Sequence, residues 1–375
     1  VFADSEHGRQ RAVCSFVTPI VADRVLESPR HAARFVSLLP VTDAEAIGIP
    51  SSTIRDRWLE PRIVLALKRG GVADHATLLA SLFLGFGLDA YVAYGSKLGT
   101  DGVETEYAWV VVLQESEVGG STARALGDVA VQVAGLTRAV CWDPLTAECI
   151  QPGTPSTSGD RFWRVGCLFN HASFYGNVQE DDTVAAAHWD VADPSQWKAL
   201  EGGHVAGIPR HARPTVLTPP LVNTAELAAG VESQVLDALA VHRHEHHAAT
   251  LPVDRHMGYV LSPALAAYEA ERLHGIAPDN ADFAAAVRRY TPPGHTFKGC
   301  PVSFCHASPS RIVAALLRNP VAQDILATLG HDIAFALRVC ITAYAEDTLA
   351  VWVLLAVRYQ PHHGDAGDSL EGMAP

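Results

Sequence analysis

Gly70-Gly71-Val72-Ala73-Asp74-His75-Ala76 runs into an apolar stretch in which Leu78, Leu79, Leu82, Phe83 and Phe86 recur at i, i+1, i+4, i+5 and i+8. That spacing predicts a core-facing helix, with the double glycine ending a preceding helix and permitting a tight turn. A helix start of this kind suits a nucleophilic cysteine, because the helix dipole and the free N–H groups favour a thiolate. Attack on an amide further needs a histidine to move the proton and a carboxylate to orient that histidine. The first-turn position such a thiol would take is Val72, which carries no nucleophile.

Outward from this helix, extended segments rich in Val, Tyr and Trp are expected at 90–95, 107–113, 129–133 and 138–142. A helix followed by an antiparallel sheet is an α+β arrangement. Ser28-Pro29, Ser262-Pro263 and Ser308-Pro309 each predict a helix start, with serine as N-cap and proline at N1. The first of these helices reaches about Leu39, and another runs from about Trp58 to Lys68, with Pro61 near its start. Residues 200–223 hold Gly202, Gly203, Pro209, Pro214, Pro219 and Pro220 and read as a linker. A helix from about Thr224 places Leu227, Val231, Val235 and Leu239 on one face, and helices near 263–274 and 281–290 follow. Thr291-Pro292-Pro293-Gly294 breaks the pattern. Then come a strand at 296–306, a helical pair split at Pro320, and a hairpin of 334–344 and 348–358 turning at Glu346-Asp347. The expected divisions are therefore 1–200, a linker and helical segment over 201–290, a C-terminal α+β subdomain over 291–360, and a disordered tail over 361–375.

With 375 residues, 48% hydrophobic and 18% charged, the chain is long enough for two or three units with a sizeable core. A net charge of -13 without a clustered Lys/Arg face argues against nucleic acid or an anionic membrane surface as partner. Cysteines 14, 141, 149, 167, 300, 305 and 340 form no Cys-x-x-Cys pair, no secretory signal precedes them, and reduced cytosolic thiols are expected. Apolar runs such as 349–357 are too short for direct membrane insertion. The chain begins at Val1 instead of Met, as a portion of a larger protein would.

If Val72 marks the nucleophile position, a strand should supply the base and the next strand the carboxylate. Tyr107-Ala108-Trp109-Val110 resembles the strand that carries a His-Ala-Trp-Val pattern in transglutaminase-like enzymes, and Trp142-Asp143-Pro144 resembles the segment that carries their aspartate, a resemblance that implies Tyr107 at the base position and Asp143 as the retained carboxylate. A phenol with a pKa of about 10 can hydrogen-bond Asp143 but is a poor proton shuttle near neutrality. The alternative to a noncatalytic module is an amide or peptide hydrolase with relocated residues Cys141, His75 and Asp143. Against it, Cys141 reads as a small buried hydrophobe, and Asp74 and His75 as first-turn hydrogen-bonding groups. An emptied cleft could still hold an extended peptide, with Asp74, His75, Trp109 and Trp142 as its lining.

His242-Arg243-His244-Glu245-His246-His247 ends the Thr224 helix. His242 and His246 share a face, but no third ligand is marked, so histidines closing a helix C-terminus are the expectation, with no metal and no cofactor. Gly85-x-Gly87 follows a helix instead of opening one and reads as a cap and turn, as does Gly119-Gly120. Trp109, Trp142, Trp163, Trp189 and Trp197 are expected as core anchors.

Several longer strings are distinctive. They are 13–17 leading to 30–36, then 74–90, Gly166-Cys167-Leu168-Phe169-Asn170-His171 with Phe174-Tyr175-Gly176-Asn177, Leu261-Ser262-Pro263-Ala264-Leu265-Ala266, and Gly294-His295-Thr296-Phe297-Lys298-Gly299. Together, and in this order from about Val13 to Arg358, they resemble the Cep-type centrosomal proteins that carry a degenerate transglutaminase-like, papain-like domain, usually preceded by a C2 domain. The resemblance implies a papain-like fold and the triad positions Val72, Tyr107 and Asp143. In that family the histidine can persist, so Tyr107 departs further from the catalytic pattern. The resemblance also implies a noncatalytic scaffold or peptide-binding module of the centriole, basal body or cilium, associated with restraint of centriole reduplication. Its location would be the cytoplasm and cytoskeleton. Its partners would be other centriolar or ciliary proteins, including microtubule-associated ones. Tubulin-tail peptides are a candidate ligand that the net charge of -13 would repel without a local basic groove.

Overall fold

The computed structural model describes residues 1–42, 57–114, 138–156, 159–200, 215–275 and 281–361. The chain divides into two units, Val1–Pro219 with Leu273–Gly275, and Pro220–Arg272 with the residues from Ile276 onward.

In the first unit a hairpin of β1 (Phe2–Asp4) and β2 (Gln10–Ala12) precedes α1 (Pro29–Ser37). Helix α1 starts as the sequence predicts, with Pro29 at N1 and the Ser28 hydroxyl accepting from the His31 N–H. Then come α2 (Pro61–Leu67) and α3 (Val72–Gly85). The residue that turns the chain out of α2 is Lys68, in the left-handed region at φ 52°, while neither Gly70 nor Gly71 has a positive φ. The double glycine answers a different need: a Cβ on Gly70 would lie 2.9 Å from Cβ of Asp74. Gly71 is the N-cap of α3, and Gly85 at its other end lets the Ile20 carbonyl approach where a Cβ would sit only 1.8 Å from the oxygen. Between these ends, Ala76, Leu78, Leu79, Leu82 and Phe83 are fully buried.

Helix α3 leads into an antiparallel sheet of β3 (Ala90–Leu98), β4 (Glu104–Gln114), β5 (Arg138–Trp142), β6 (Cys149–Ile150), β7 (Arg161–Phe169), β8 (Phe174–Asn177) and β9 (Trp197–Ala199). Their order is β6-β5-β4-β3-β7-β8-β9. Side chains alternate across such a sheet, so each strand contributes to two cores. Phe83 of α3 meets Trp142 edge-on at 5.3 Å, and Trp142 pairs with Val110, which pairs with Val92. That set faces the helix. On the opposite face Tyr91, Ala93, Trp109, Val111, Cys141, Phe162, Val165 and Leu168 pack with Val184, Trp189 and Trp197. Four of the five tryptophans singled out above are core anchors; Trp163 is half-buried, with the Arg161 guanidinium 4.6 Å over its ring.

The second unit is built on β10 (Thr296–Phe304), β11 (His331–Tyr344) and β12 (Thr348–Gln360), in the order β10-β12-β11, with the β11–β12 turn at Glu346 and Asp347 in the left-handed region. One face of this sheet packs on α4 (Thr224–His247), α7 (Pro309–Leu316) and α8 (Pro320–Ala327) through Val231, Val235, Leu239, Ile312, Leu316, Ile325, Phe335, Val339, Val353 and Leu355. The other face packs on α5 (Arg255–His274) through Met257, Leu261, Ala264, Leu265, Trp352 and Leu354, with Phe283 and Tyr290 of α6 (Ala281–Tyr290) beside them. The helices after the linker and the strands beyond residue 290 thus share cores, and the expected division near 290 is not a boundary between compact units.

Ser262-Pro263 is not a helix start. Helix α5 begins eight residues earlier than Pro263, with the Asp254 carboxylate accepting from the N–H groups of His256 and Met257. The buried stripe Met257-Leu261-Ala264-Leu265 runs straight through the proline and offsets the lost backbone bond. The strand expected at 129–133, the turn at Gly119-Gly120, most of the linker and the tail beyond 361 lie outside the described residues.

Candidate functional site

The start of α3 is capped by its own chain, with Val72 half-buried. Asp74 is the N3 residue, and its Oδ2 accepts from the Gly71 N–H at 2.8 Å, the capping-box bond. Its Oδ1 accepts from the Leu59 N–H at 2.7 Å. Burial raises the Asp74 pKa to about 6, more than these two backbone donors lower it. The Leu59 bond fixes Trp58, whose ring lies 6.0 Å from Tyr94, 5.9 Å from Phe169 and 5.8 Å from Phe16. Tyr94 pairs with Ala108 and Phe169 with Val92, so both rings stand on the sheet face that α3 covers. Trp58, 5% exposed, is therefore packed on the sheet face that α3 covers, while the next residue, Leu59, is tied to the first turn of α3.

His75 is fully buried, with Nδ1 2.7 Å from the Gly71 carbonyl and Nε2 3.0 Å from the Leu39 carbonyl. Burial lowers its pKa, against the pull of these two carbonyls, and a neutral imidazole can donate to only one of them. Both ring nitrogens thus face backbone carbonyls, one as donor.

Asp143 sits on the other face of the sheet. Its Oδ1 accepts from the Tyr107 hydroxyl at 2.9 Å and from the Leu145 N–H at 2.9 Å, and its Oδ2 accepts from Lys97 Nζ at 2.9 Å. Lys97 also lies 4.6 Å from the centroid of the Tyr107 ring and 3.6 Å from Asp160. Burial, then the Asp143 charge and hydrogen bond, push the Tyr107 phenol far above its ordinary range. The predicted tie between Tyr107 and Asp143 is present, and Lys97 is the member that sequence reasoning missed. Its signal was the strand register: Gly95 pairs with Tyr107, so Lys97, two residues on, stands diagonally beside Tyr107 on the same face.

These two clusters do not meet. Tyr107 packs with the core formed by Trp109, Cys141 and Phe162, whereas α3 packs on the face of Trp142. Val72, Tyr107 and Asp143 are thus not brought to one face. The relocated set fails for the same reason: Cys141 points away from the helix that carries His75, and burial raises its thiol to about 12. The four residues expected to line a groove, Asp74, His75, Trp109 and Trp142, are all buried, and the two tryptophans point to opposite sides of the sheet.

In the histidine-rich end of α4 the central residue is Arg243, 1% exposed. Its guanidinium donates to the carbonyls of Thr250, Leu326 and Thr328 and lies 4.6 Å over the Phe335 ring. His242 and His246 stack at 4.0 Å, and the His246 ring lies against the His242 carbonyl. Among the described residues no three His, Cys, Asp or Glu side chains are grouped to hold a metal. No described helix is long and apolar enough to cross a membrane.

A helix packed on an antiparallel sheet in the first unit, and helices on both faces of a three-stranded sheet in the second, define an α+β protein. Residues 56–200 match the CEP76 peptidase-like domain, and residues 220–360 match the C-terminal domain of the centrosomal protein of 76 kDa. The chain is 36% identical to the centrosomal protein of 76 kDa of Danio rerio over 376 residues, which cover 96% of this chain and 53% of that protein. The human protein of that name is 34% identical over 367 residues, with the same coverage. Human protein CC2D2B is 29% identical over 178 residues, 47% of this chain and 10% of its own length. The chain belongs to the family of the centrosomal protein of 76 kDa and spans about half the length of the curated relatives it matches.

Proposed function

We propose that this chain is a noncatalytic structural module of the centrosome, in which a papain-like, transglutaminase-like framework has been kept for its shape and its chemistry lost. The observation that carries this reading is the capped start of α3, which offers no nucleophile. Val72, at the position this reading gives to a thiol, carries no nucleophile, Asp74 is committed to Gly71 and Leu59, and Trp58 is packed against Tyr94, Phe169 and Phe16. A buried peptide-binding cleft is not required by this geometry, so contacts with other centrosomal proteins would be made by the outer surface. Any restraint on centriole reduplication would act through such contacts.

The test is to express the tagged chain in dividing cells, alone and as Val72→Ala and Tyr107→Phe variants. The expected result is concentration at the centrosome in all three cases. Purified chain is expected to release no peptide from casein above a blank. Diffuse distribution of the wild-type chain, or proteolysis abolished by Val72→Ala, would overturn the proposal.

A further inference from the structure

The three Ser-Pro dipeptides put their hydroxyls to different uses. The Ser28 hydroxyl caps α1 through the His31 N–H. That of Ser262, inside α5, accepts from Arg338 Nε at 2.9 Å. Ser308 precedes α7, and its hydroxyl makes no cap bond; it lies 3.3 Å from the hydroxyl of Ser310, an exposed residue. Ser308-Pro309-Ser310-Arg311 is also the one Ser-Pro or Thr-Pro in the sequence with a lysine or arginine three residues after the hydroxyl-bearing residue.

Each of these features selects an enzyme. A kinase groove that offers no acceptor to the backbone N–H of the following residue disfavours every residue except proline, which has no N–H to desolvate. The arginine two positions further on suits a groove with an anionic pocket, which a guanidinium meets with paired hydrogen bonds. The segment is also reachable. Ser308 is extended at φ -82° and ψ 112°, and residues 305–308 belong to neither β10 nor α7. Binding in an extended form requires residues 309–311 to leave the first turn of α7. Ser310 and Arg311 are exposed and the first buried residue of the helix is Ile312, so that opening uncovers no core side chain.

Two nitrogen bases flank the serine. The Ser308 N–H donates to His306 Nδ1 at 3.3 Å, and burial, then the Arg311 charge, lowers the His306 pKa, which puts Arg311 beside the same ring. We propose that Ser308 is a phosphorylation site for a proline-directed serine/threonine kinase that reads a basic residue at the third following position. The Ser308 oxygen attacks the γ-phosphorus of ATP, the new O–P bond forms as the bond to the leaving oxygen of ADP breaks, and the hydroxyl proton passes to the kinase's carboxylate base. The product places about two negative charges beside Arg311 and His306, which hold the phosphate through charge-assisted hydrogen bonds. This inference is independent of the reading of the α3 region.

The test is incubation of the purified chain with ATP and a purified cyclin-bound cyclin-dependent kinase, with the modified residue located by peptide mass mapping. Phosphoryl transfer to Ser308 is expected. Ser308→Ala should abolish that signal and Ser308→Thr should keep it. Because the hydroxyl caps nothing, thermal unfolding of both variants should match the wild type. Arg311→Ala is expected to slow transfer to Ser308 about tenfold through loss of the paired contact, and Arg311→Lys to restore most of the rate. Absence of a phosphoryl group on Ser308 in the wild type, or a rate unchanged by Arg311→Ala, would overturn the proposal.

Discussion

Asp143 is 2% exposed, and a carboxylate buried to that degree is costly unless its lone pairs are used. Here a lysine, a phenol and backbone N–H groups use them. Tyr107→Phe should therefore lower stability by about 1.5–3 kcal/mol, the value of a hydrogen bond to a charged group, as read by urea unfolding. His75 makes a prediction of a different form. Its folded pKa is depressed by burial, so its contribution is fully present above about 6.5, the value for an unfolded histidine, and is lost as pH falls towards the folded value. Asp74 has the opposite sign: with its pKa raised to about 6, it favours the folded state below the ordinary carboxylate range and loses that effect as pH rises through 6. Urea unfolding of wild type and His75→Gln between pH 4.5 and 8 separates the two. The stability difference between the proteins is expected to shrink on the acid side of pH 6.5, while the Asp74 slope persists in both.

Arg243 joins the end of α4 to the end of α8 and the loop at Thr250. Arg243→Met is expected to leave buried carbonyls without donors and to cost about 3 kcal/mol, whereas His242→Ala should stay within about 0.5 kcal/mol. Chemical denaturation of the two variants checks the contrast. The sequence drew attention to the histidines here because their i, i+4 spacing resembles a ligand pair. The arginine among them carries the structure, and its only signal is that it falls in step with Val231, Val235 and Leu239 on the buried face. Strong periodicity was legible elsewhere: α3, α4, the α7–α8 pair and the β11–β12 hairpin lie where apolar spacing and turn residues place them. The start of α5 was not, because Ser262-Pro263 is a valid N-terminal signal locally and only the packing of Met257 and Leu261 on the second sheet shows that the helix continues upstream. The face that Tyr107 presents was likewise hidden. A strand pattern fixes which residues alternate, but which side receives the helix is settled by contacts such as Phe83 with Trp142.

Each of the two units contains its own core, and the second draws on helices and strands that all lie between Pro220 and Gln360. Residues 220–361 expressed alone are therefore expected to give a single cooperative thermal transition by circular dichroism, and a gradual loss of signal would contradict that expectation. The central claim concerns the first unit, whose residues 56–200 match a peptidase-like domain: the position that the proposed reading gives to a thiol, Val72, and the position it gives to a base, Tyr107, belong to different sides of the sheet. The direct measurement is the pH dependence of iodoacetamide modification at residue 72 in Val72→Cys, with and without Tyr107→His. The account predicts that the thiol pKa is the same in both proteins, because an imidazole at 107 would sit in the core with Trp109 and Phe162. A thiol pKa lowered by Tyr107→His, with a new protonation step near neutrality, would show that the two positions form a pair and would contradict it.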